Sequence, residues 1–346
     1  MLKTTVITVD DPAWEEVISQ CRVYDFYHTR SYHLLETLET ELEAVLFVCE
    51  EGADFVAMPI VIRSIPGTPY FDCTSVYGYV GPVSNQAFET MAASLQRYFV
   101  ASIRDYFASK QIIATFSRLH PLVDTRSFFN DFGSIIDLNK TVAIDTQLTP
   151  EEQWRNFRKS NKSEINQLRK KKGYTVKTLT SEEELVEFVS IYNKTMQRVN
   201  AGDYYYFDLA YFKTMLRSSD FDAKILLAMK DETIAAGAMF TMTGQFMQYH
   251  LAGTSEPYMF DTPMKLILDE ARLLANSLSL DFLHLGGGVG GSDEDSLFRF
   301  KSGFSKHYFQ FSTWQYIVNT EVYKELVASN GVFESTYFPL YRAPKN

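Results

Sequence analysis

Two α/β domains, each a mixed but largely antiparallel sheet flanked by helices, are what this sequence predicts, and three observations carry the expectation. The 346 residues suit two cores of ordinary size better than one. Hydrophobic residues at 46% and charged residues at 22% are the proportions of a folded, water-soluble protein. The coarse element order of the first half (helices, three strands, a helix, a strand) also returns in the second half, although no residue motif repeats. The boundary falls near residue 140, giving an N-terminal domain over 1–140 and a C-terminal domain over 141–346.

The first domain opens with expected helices near 12–20 and 31–40. Strand-like runs come next at 43–49, 54–65 and 70–75, where β-branched and aromatic residues cluster between turn signals. The turn-rich stretch Tyr77-Gly78-Tyr79-Val80-Gly81-Pro82 leads into a long helix over 86–109 and a strand over 111–116.

The second domain begins with a strand over 141–145. Thr149-Pro150-Glu151-Glu152 then supplies an N-cap, a proline at the first helical position and a glutamate three residues after the cap, so a helix is expected to run to Lys172 and stop at Gly173. Ser181 and Glu184 form a second capping box, opening a helix to about Gln197. Three strands over 223–229, 233–241 and 245–253 read as an antiparallel meander. The best-defined element runs from Pro263 to Leu278, where Met264, Ile267, Leu268, Ala271, Leu274, Ala275 and Leu278 make one apolar stripe and Thr262 stands in the capping position. A strand over 282–285, a glycine loop, a short helix to Lys301 and a strand over 308–318 complete the domain.

Composition excludes several classes. A formal net charge of -10 opposes nucleic-acid binding by the whole surface, while leaving room for one basic patch. Cys21, Cys49 and Cys73 are odd in number and lack a CxxC spacing, so they read as reduced, buried thiols. The six histidines are scattered, and no metal site is expected. Residues 1–11 hold no apolar core of signal-peptide length, and no segment reaches the roughly 18 uninterrupted apolar residues of a membrane span. A cytoplasmic chain with no stable membrane insertion is therefore expected; its oligomeric state is not legible.

Gly286 to Gly291 matches G-x-G-x-x-G after a strand and before a helix. Too little chain remains for the rest of a doubly wound domain, and Asp293, Glu294 and Asp295 would repel a pyrophosphate. A loop beside an active site is the better reading. More informative is the helix after Pro150: at 100° per residue, Arg155, Arg158, Lys159, Lys162 and Arg169 share one face, suited to a phosphate-bearing ligand or simply solvated. The start of the next well-capped helix, at Thr262, Pro263 and Met264, offers backbone N–H groups to an anion. Lys301 stands among Phe298, Phe300 and Phe304, placed either to snorkel to water or to act as a directed cation. No G-x-S-x-G and no sequence-evident cysteine–histidine pair is present, which fits direct attack by a substrate amine.

Phe300-Lys301-Ser302-Gly303-Phe304 resembles the F-K-x-G-F signature of the Fem-type (FemABX) peptidyltransferases, bacterial proteins built from two GNAT-like acyltransferase domains. Tyr77 to Val83 is similar to that family's Y-x-P-R-G-P-V segment, with Tyr79-Val80 where its arginine would stand. The strand, loop and helix from Gln245 to Leu278 are similar to the part of a GNAT fold that holds a donor pyrophosphate. The resemblance implies two tandem GNAT-like domains, the first degenerate, and an active-site cation at Lys301 flanked by Phe300 and Phe304.

Residues and resemblance together lead to the expectation of an N-acyltransferase of cell-envelope biogenesis, moving an acyl or aminoacyl group onto an amine of a cell-envelope or glycan precursor. That substrate would be a small molecule or carried on a lipid or nucleotide. No cofactor is expected to be tightly bound; acyl-coenzyme A or aminoacyl-tRNA would be the donor. The charged helical arm of many transfer-RNA-dependent members is missing, which disfavours transfer RNA. Tyr249 and His250 are the general-base candidates, with strand polarity deciding between them. Arg155, Arg158, Lys159, Lys162 and the 262–264 backbone would hold donor phosphate. Arg198, Tyr205, Tyr206, Phe300, Phe304 and Tyr79 would line the acceptor side, unless the 198–206 loop is merely packed. A non-catalytic binding protein on the same scaffold is the competing class, and a strictly transfer-RNA-dependent peptidoglycan aminoacyltransferase the competing enzyme.

Overall fold

The computed structural model describes residues 1–38, 40–289 and 295–345. The chain divides into two compact units, Met1–Leu138 with Gln310–Asn346, and Asn139–Phe309. A single division near 140 therefore differs from the structure at one end: the last strand and everything after it return to the first unit.

In the first unit the order is β1 (Leu2–Thr8), α1 (Ala13–Ser19), α2 (Arg30–Thr37), β2 (Glu43–Glu51), β3 (Asp54–Ser64), β4 (Phe71–Thr74), β5 (Val83–Ser84), α3 (Ala93–Ser109) and β6 (Ile112–Arg118). β7 (Ser134–Asp145) crosses the boundary into the second unit, where the order continues with α4 (Pro150–Asn156), α5 (Lys159–Lys170), β8 (Thr175–Thr178), α6 (Glu182–Arg198), α7 (Leu209–Leu216), β9 (Asp222–Lys230), β10 (Thr233–Thr243), β11 (Phe246–Thr254), α8 (Met264–Ser277), β12 (Phe282–Gly286) and α9 (Ser296–Lys301). β13 (His307–Ile317) and α10 (Thr320–Asn330) carry the chain back into the first unit.

The repetition read from the sequence is a repetition of topology. β1-α1-α2-β2-β3-β4-α3-β6 corresponds, element for element, to β8-α6-α7-β9-β10-β11-α8-β12. In both units the meander is antiparallel, and its third strand pairs in parallel with the strand that comes after the long helix. Such a parallel pair needs a crossover connection, which α3 and α8 supply.

Helices cover both faces, so the central strands read as continuous apolar runs rather than as alternation. Ala44 to Cys49 of β2 are all buried, and so are Ile234 to Thr243 of β10. In the first unit Leu95, Phe99, Ile103 and Phe107 of α3 pack on Val45, Phe47 and Met58. In the second, Met264, Ile267, Leu268, Ala271 and Ala275 of α8 enter the core, each large aliphatic side chain contributing about 1.5–3 kcal/mol of burial. The other face takes α6 at close range. A Cβ at Gly253 would lie 2.8 Å from the Tyr192 Cα, and one at Gly237 would lie 2.4 Å from the Phe188 ring.

Three expectations change. The helix expected from Pro150 to Lys172 breaks at Phe157 and Arg158, both extended (ψ 142 for each). The break drops Phe157 into the core against Phe304, with the Arg272 guanidinium 5.2 Å from its ring centroid. Thr262 does not cap α8: it adopts a left-handed conformation (φ 54), and the helix begins at Met264 without a side-chain cap. The strands β1 and β8 and the helices α7 and α10 escaped the sequence reading, being short or weakly patterned.

Candidate active site

β11 and β12 pair in parallel only at Phe246–Gln248 against Phe282–His284. Beyond that point β11 runs on for six residues while β12 ends at Gly286 (φ 75). β11 bulges here against β10, since Met239 faces Leu251 and Phe240 faces Tyr249, leaving His250 as the extra residue. An opening at the carboxyl ends of two parallel strands is where α/β sheets take their ligands.

Lys301 reaches this opening. Its Nζ donates to the Gly287 carbonyl at 2.8 Å, one residue past β12, and sits 5.7 Å from the ring centroid of Tyr249, one residue past the paired part of β11. The side chain comes from α9, whose N-cap Asp295 accepts from Phe298 N at 2.8 Å. Burial lowers the Lys301 pKa to about 8, against a smaller raising effect of Asp295. The group is thus a dry cation that keeps its proton at neutral pH. Burial also pushes the Tyr249 phenol well above its usual range, which makes it a hydroxyl donor rather than a base.

Strand polarity separates the two base candidates. Tyr249 packs with Met247 on the α8 face, whereas His250 points to the α7 face, where Tyr211 Oη lies 3.3 Å from its Nε2. The 198–206 loop belongs to the α6–α7 side. Arg198 Nη2 donates to Thr254 O at 3.3 Å, Tyr205 accepts from Tyr192 Oη through its carbonyl at 2.8 Å, and Tyr206 is exposed. Phe300 is half-buried, but Phe304 is fully buried against Phe157 and Phe300 and serves packing. Tyr79 lies in the first unit, in edge contact with Tyr27 and Phe311.

The broken helix redistributes the basic stripe. Arg155 stands on α4, Arg158 in the break, and Lys159 and Lys162 on the first turn of α5. Arg169 is taken up by ion pairs with Asp269 at 2.7 Å and with Glu270. At the start of α8 the expected anion position already has a carboxylate beside it. Glu164 accepts from Thr262 Oγ1 at 3.0 Å and from Lys265 Nζ at 2.6 Å, and its pKa is lowered because those bonds outweigh its burial.

Two buried polar pairs escaped the sequence reading. His284 Nδ1 and Gln248 Oε1 are 2.8 Å apart at the last paired position of β11 and β12. In the first unit His120 Nε2 and Asp25 Oδ2 are 2.9 Å apart, both fully buried. A polar residue inside an apolar run, as in Phe282-Leu283-His284-Leu285, was the available signal. Of the glycine loop, Gly290, Gly291, Asp293 and Glu294 lie outside the described residues. Among the described residues no group of His, Cys, Asp and Glu could hold a metal ion, and no helix is long and apolar enough to cross a membrane.

In the first unit the corresponding place is bridged by backbone pairing. There the chain after β4 returns to β6: Val80 pairs in parallel with Leu119, Val80 N donates to Arg118 O at 2.8 Å, and His120 N to Val80 O at 3.0 Å. The segment Tyr77 to Val83 thus continues the pairing past the ends of β4 and β6, and among the described residues no such pairing continues past β11 and β12.

Comparison with known proteins bears out the resemblance. The FemAB family matches residues 109–231, a stretch that takes in α4 to α7 and stops short of Lys301. No curated protein matches the chain. FemX shares the fold with a TM-score of 0.74 at 13% identity, covering 93% of this chain and 99% of that one. L-PGS from Bacillus licheniformis gives 0.58 and 14%, covering 92% and 96%. A tandem GNAT protein from the clavulanic acid biosynthesis pathway gives 0.50 and 12%, covering 92% and 99%. At these identities the likeness is one of fold: two tandem GNAT-like units.

Proposed function

We propose that this chain transfers an acyl or aminoacyl group to an amine of a cell-envelope or glycan precursor, in the opening between β11 and β12. The observation that carries the reading is the Lys301 ammonium, buried at the mouth of that opening and held there by Gly287 O. The acceptor nitrogen attacks the carbonyl carbon of a thioester or ester, and the carbonyl oxygen takes up the negative charge. A desolvated cation near that oxygen stabilises the tetrahedral state far more than the same cation would in water. Collapse expels a thiolate, if the donor is acyl-coenzyme A, or a ribose oxygen, if it is aminoacyl-tRNA. The proton of the attacking amine passes to the departing thiolate or ribose oxygen, so a thiol or ribose hydroxyl leaves and no protein base is required. The Tyr249 hydroxyl, kept protonated by burial, can donate a hydrogen bond to the oxyanion.

The backbone bridge of the first unit supports a donor site confined to the second, with the first unit degenerate in that respect. Arg198, Tyr205, Tyr206 and Phe300 are the acceptor-side residues of the proposal within the second unit.

The test compares wild type with Lys301→Met in transfer from acetyl-coenzyme A and from charged transfer RNA to amine acceptors. Loss of transfer with the thermal midpoint retained is expected for the variant. Full transfer by Lys301→Met would remove the assignment.

A further inference from the structure

We propose that the N-terminus of α5 is a phosphoryl-binding site, built by the break between α4 and α5 and placed beside the segment that carries Lys301. The inference deepens the transferase reading by naming what a substrate must carry, and it rests on that reading only for the identity of the ligand.

α5 is a 12-residue helix that begins with no side-chain cap and no acidic residue in its first turn. Its first backbone N–H groups and its dipole therefore favour an anion. A helix start alone would not make a site. The second observation is Asn161, which is 2% exposed and whose Nδ2 has no hydrogen-bond partner among the described residues. A buried carboxamide donor left unpaired costs free energy unless a ligand or water satisfies it. That Nδ2 faces Gly303, where a Cβ would stand 2.4 Å away. Gly303 is also the residue whose carbonyl accepts from Arg158 N, at 2.8 Å. The amide, the helix start and the glycine therefore share one corner.

Cations surround that corner. Arg158 Nη2 reaches Ser302 Oγ at 3.3 Å, Lys162 Nζ reaches the Arg155 carbonyl at 3.1 Å, and Lys159 is exposed. Arg155 is 3.6 Å from Glu152, but both side chains are largely in solvent, where such a pair is weak. The guanidinium groups of Arg155 and Arg158, the ammonium groups of Lys159 and Lys162 and the uncapped N–H groups lie on α4, the break and the first turn of α5, and such donors match the oxygens of a phosphate ester or pyrophosphate. The start of α8 offers no such place, because Glu164 stands beside it. An anion held at α5 lies beside Gly303, two residues from Lys301, so its binding energy would help fix the reacting end of the same substrate.

Isothermal titration of the full chain with inorganic pyrophosphate tests the site without requiring turnover. One-to-one binding is expected, weakened about tenfold or more by Asn161→Asp, which sets a carboxylate against the anion. Because position 161 is 2% exposed, an aspartate there also bears a desolvation cost, so its circular dichroism and thermal midpoint are measured first and binding is compared below that midpoint. Gly303→Ala is the second variant, because its methyl group displaces the Asn161 amide. Lys265→Gln, at the start of α8, should bind as wild type does. No pyrophosphate binding, unchanged binding in both Asn161→Asp and Gly303→Ala, or loss of binding in Lys265→Gln would each overturn the site. Lys301→Met should still bind pyrophosphate, so failure of the transferase reading and failure of this one are separable. Competition of coenzyme A or of a nucleoside-diphosphate sugar with pyrophosphate then tells a donor phosphate from an acceptor phosphate.

Discussion

The Lys301 ammonium and the Gly287 carbonyl, 2.8 Å apart, join the end of α9 to the end of β12. One neutral acceptor is thin compensation for a buried cation, which is why burial lowers the Lys301 pKa to about 8 from an ordinary 10.5. Stability is given up at this point for a charge that faces the strand opening. Its consequences can be measured in both stability and transfer.

Between pH 8 and 10.5 the unfolded chain holds the Lys301 proton and the folded chain does not, so stability should rise with pH across that window. Lys301→Met should be more stable than wild type below pH 8, and should lose this pH-dependent rise. Urea unfolding at several pH values reads both effects; parallel curves for the two proteins would contradict the burial argument. Transfer should fall as the pH passes about 8, because the cation is then lost. Lys301→Arg, which stays charged, should shift or remove that alkaline limb.

His28 behaves in the opposite window. It is fully buried, and burial together with His120 lowers its pKa to about 3 from 6.5. Below pH 6.5 the unfolded chain takes up a proton that the folded chain refuses, so stability should decline as acid is added. His28→Phe should flatten that decline in acid-unfolding curves tracked by circular dichroism.

Gly253 sets the distance between α6 and β11. Alanine there would put a methyl carbon 2.8 Å from the Tyr192 Cα, and backbone cannot rotate away as a side chain can. Overpacking of this kind costs about 1–3 kcal/mol, so a midpoint lowered by several degrees is expected for Gly253→Ala. An unchanged midpoint in calorimetry would mean that the helix moves freely on the sheet.

Asp72 ties the end of the chain to the first unit. Its buried carboxylate accepts from Arg63 Nε at 2.8 Å, Tyr341 Oη at 3.1 Å and Arg342 Nε at 2.5 Å. Removing one partner from a buried charged cluster costs about 3–5 kcal/mol, so Asp72→Ala should be strongly destabilised. Limited proteolysis should then cut ahead of Tyr341 faster than in wild type; equal cutting rates would deny the tie.

Local signals made much of this molecule legible in its sequence. The capping boxes at Thr149 and Ser181 are formed as their spacing implied, and the α8 stripe enters the core that its period demanded. These features depend on neighbours within one or two turns, so the order of residues determines them. The F-K-x-G-F run and the doubled element order likewise pointed to tandem GNAT-like units. What only the tertiary structure decided are relations between distant segments. Phe157 ends a helix early because a core pocket beside Phe304 takes its ring, which no local propensity records. Thr262 leaves its capping place for a left-handed turn, with its hydroxyl donated to Glu164 of α5. Tyr249 rather than His250 meets Lys301 because a bulge and the strand's alternation choose the face. Asn161 was passed over between lysines, since its burial beside Gly303 exists only once α5 and α9 have packed. Spacing along a chain sets which side chains share a face; which faces meet is set by packing, and the site is made where they meet.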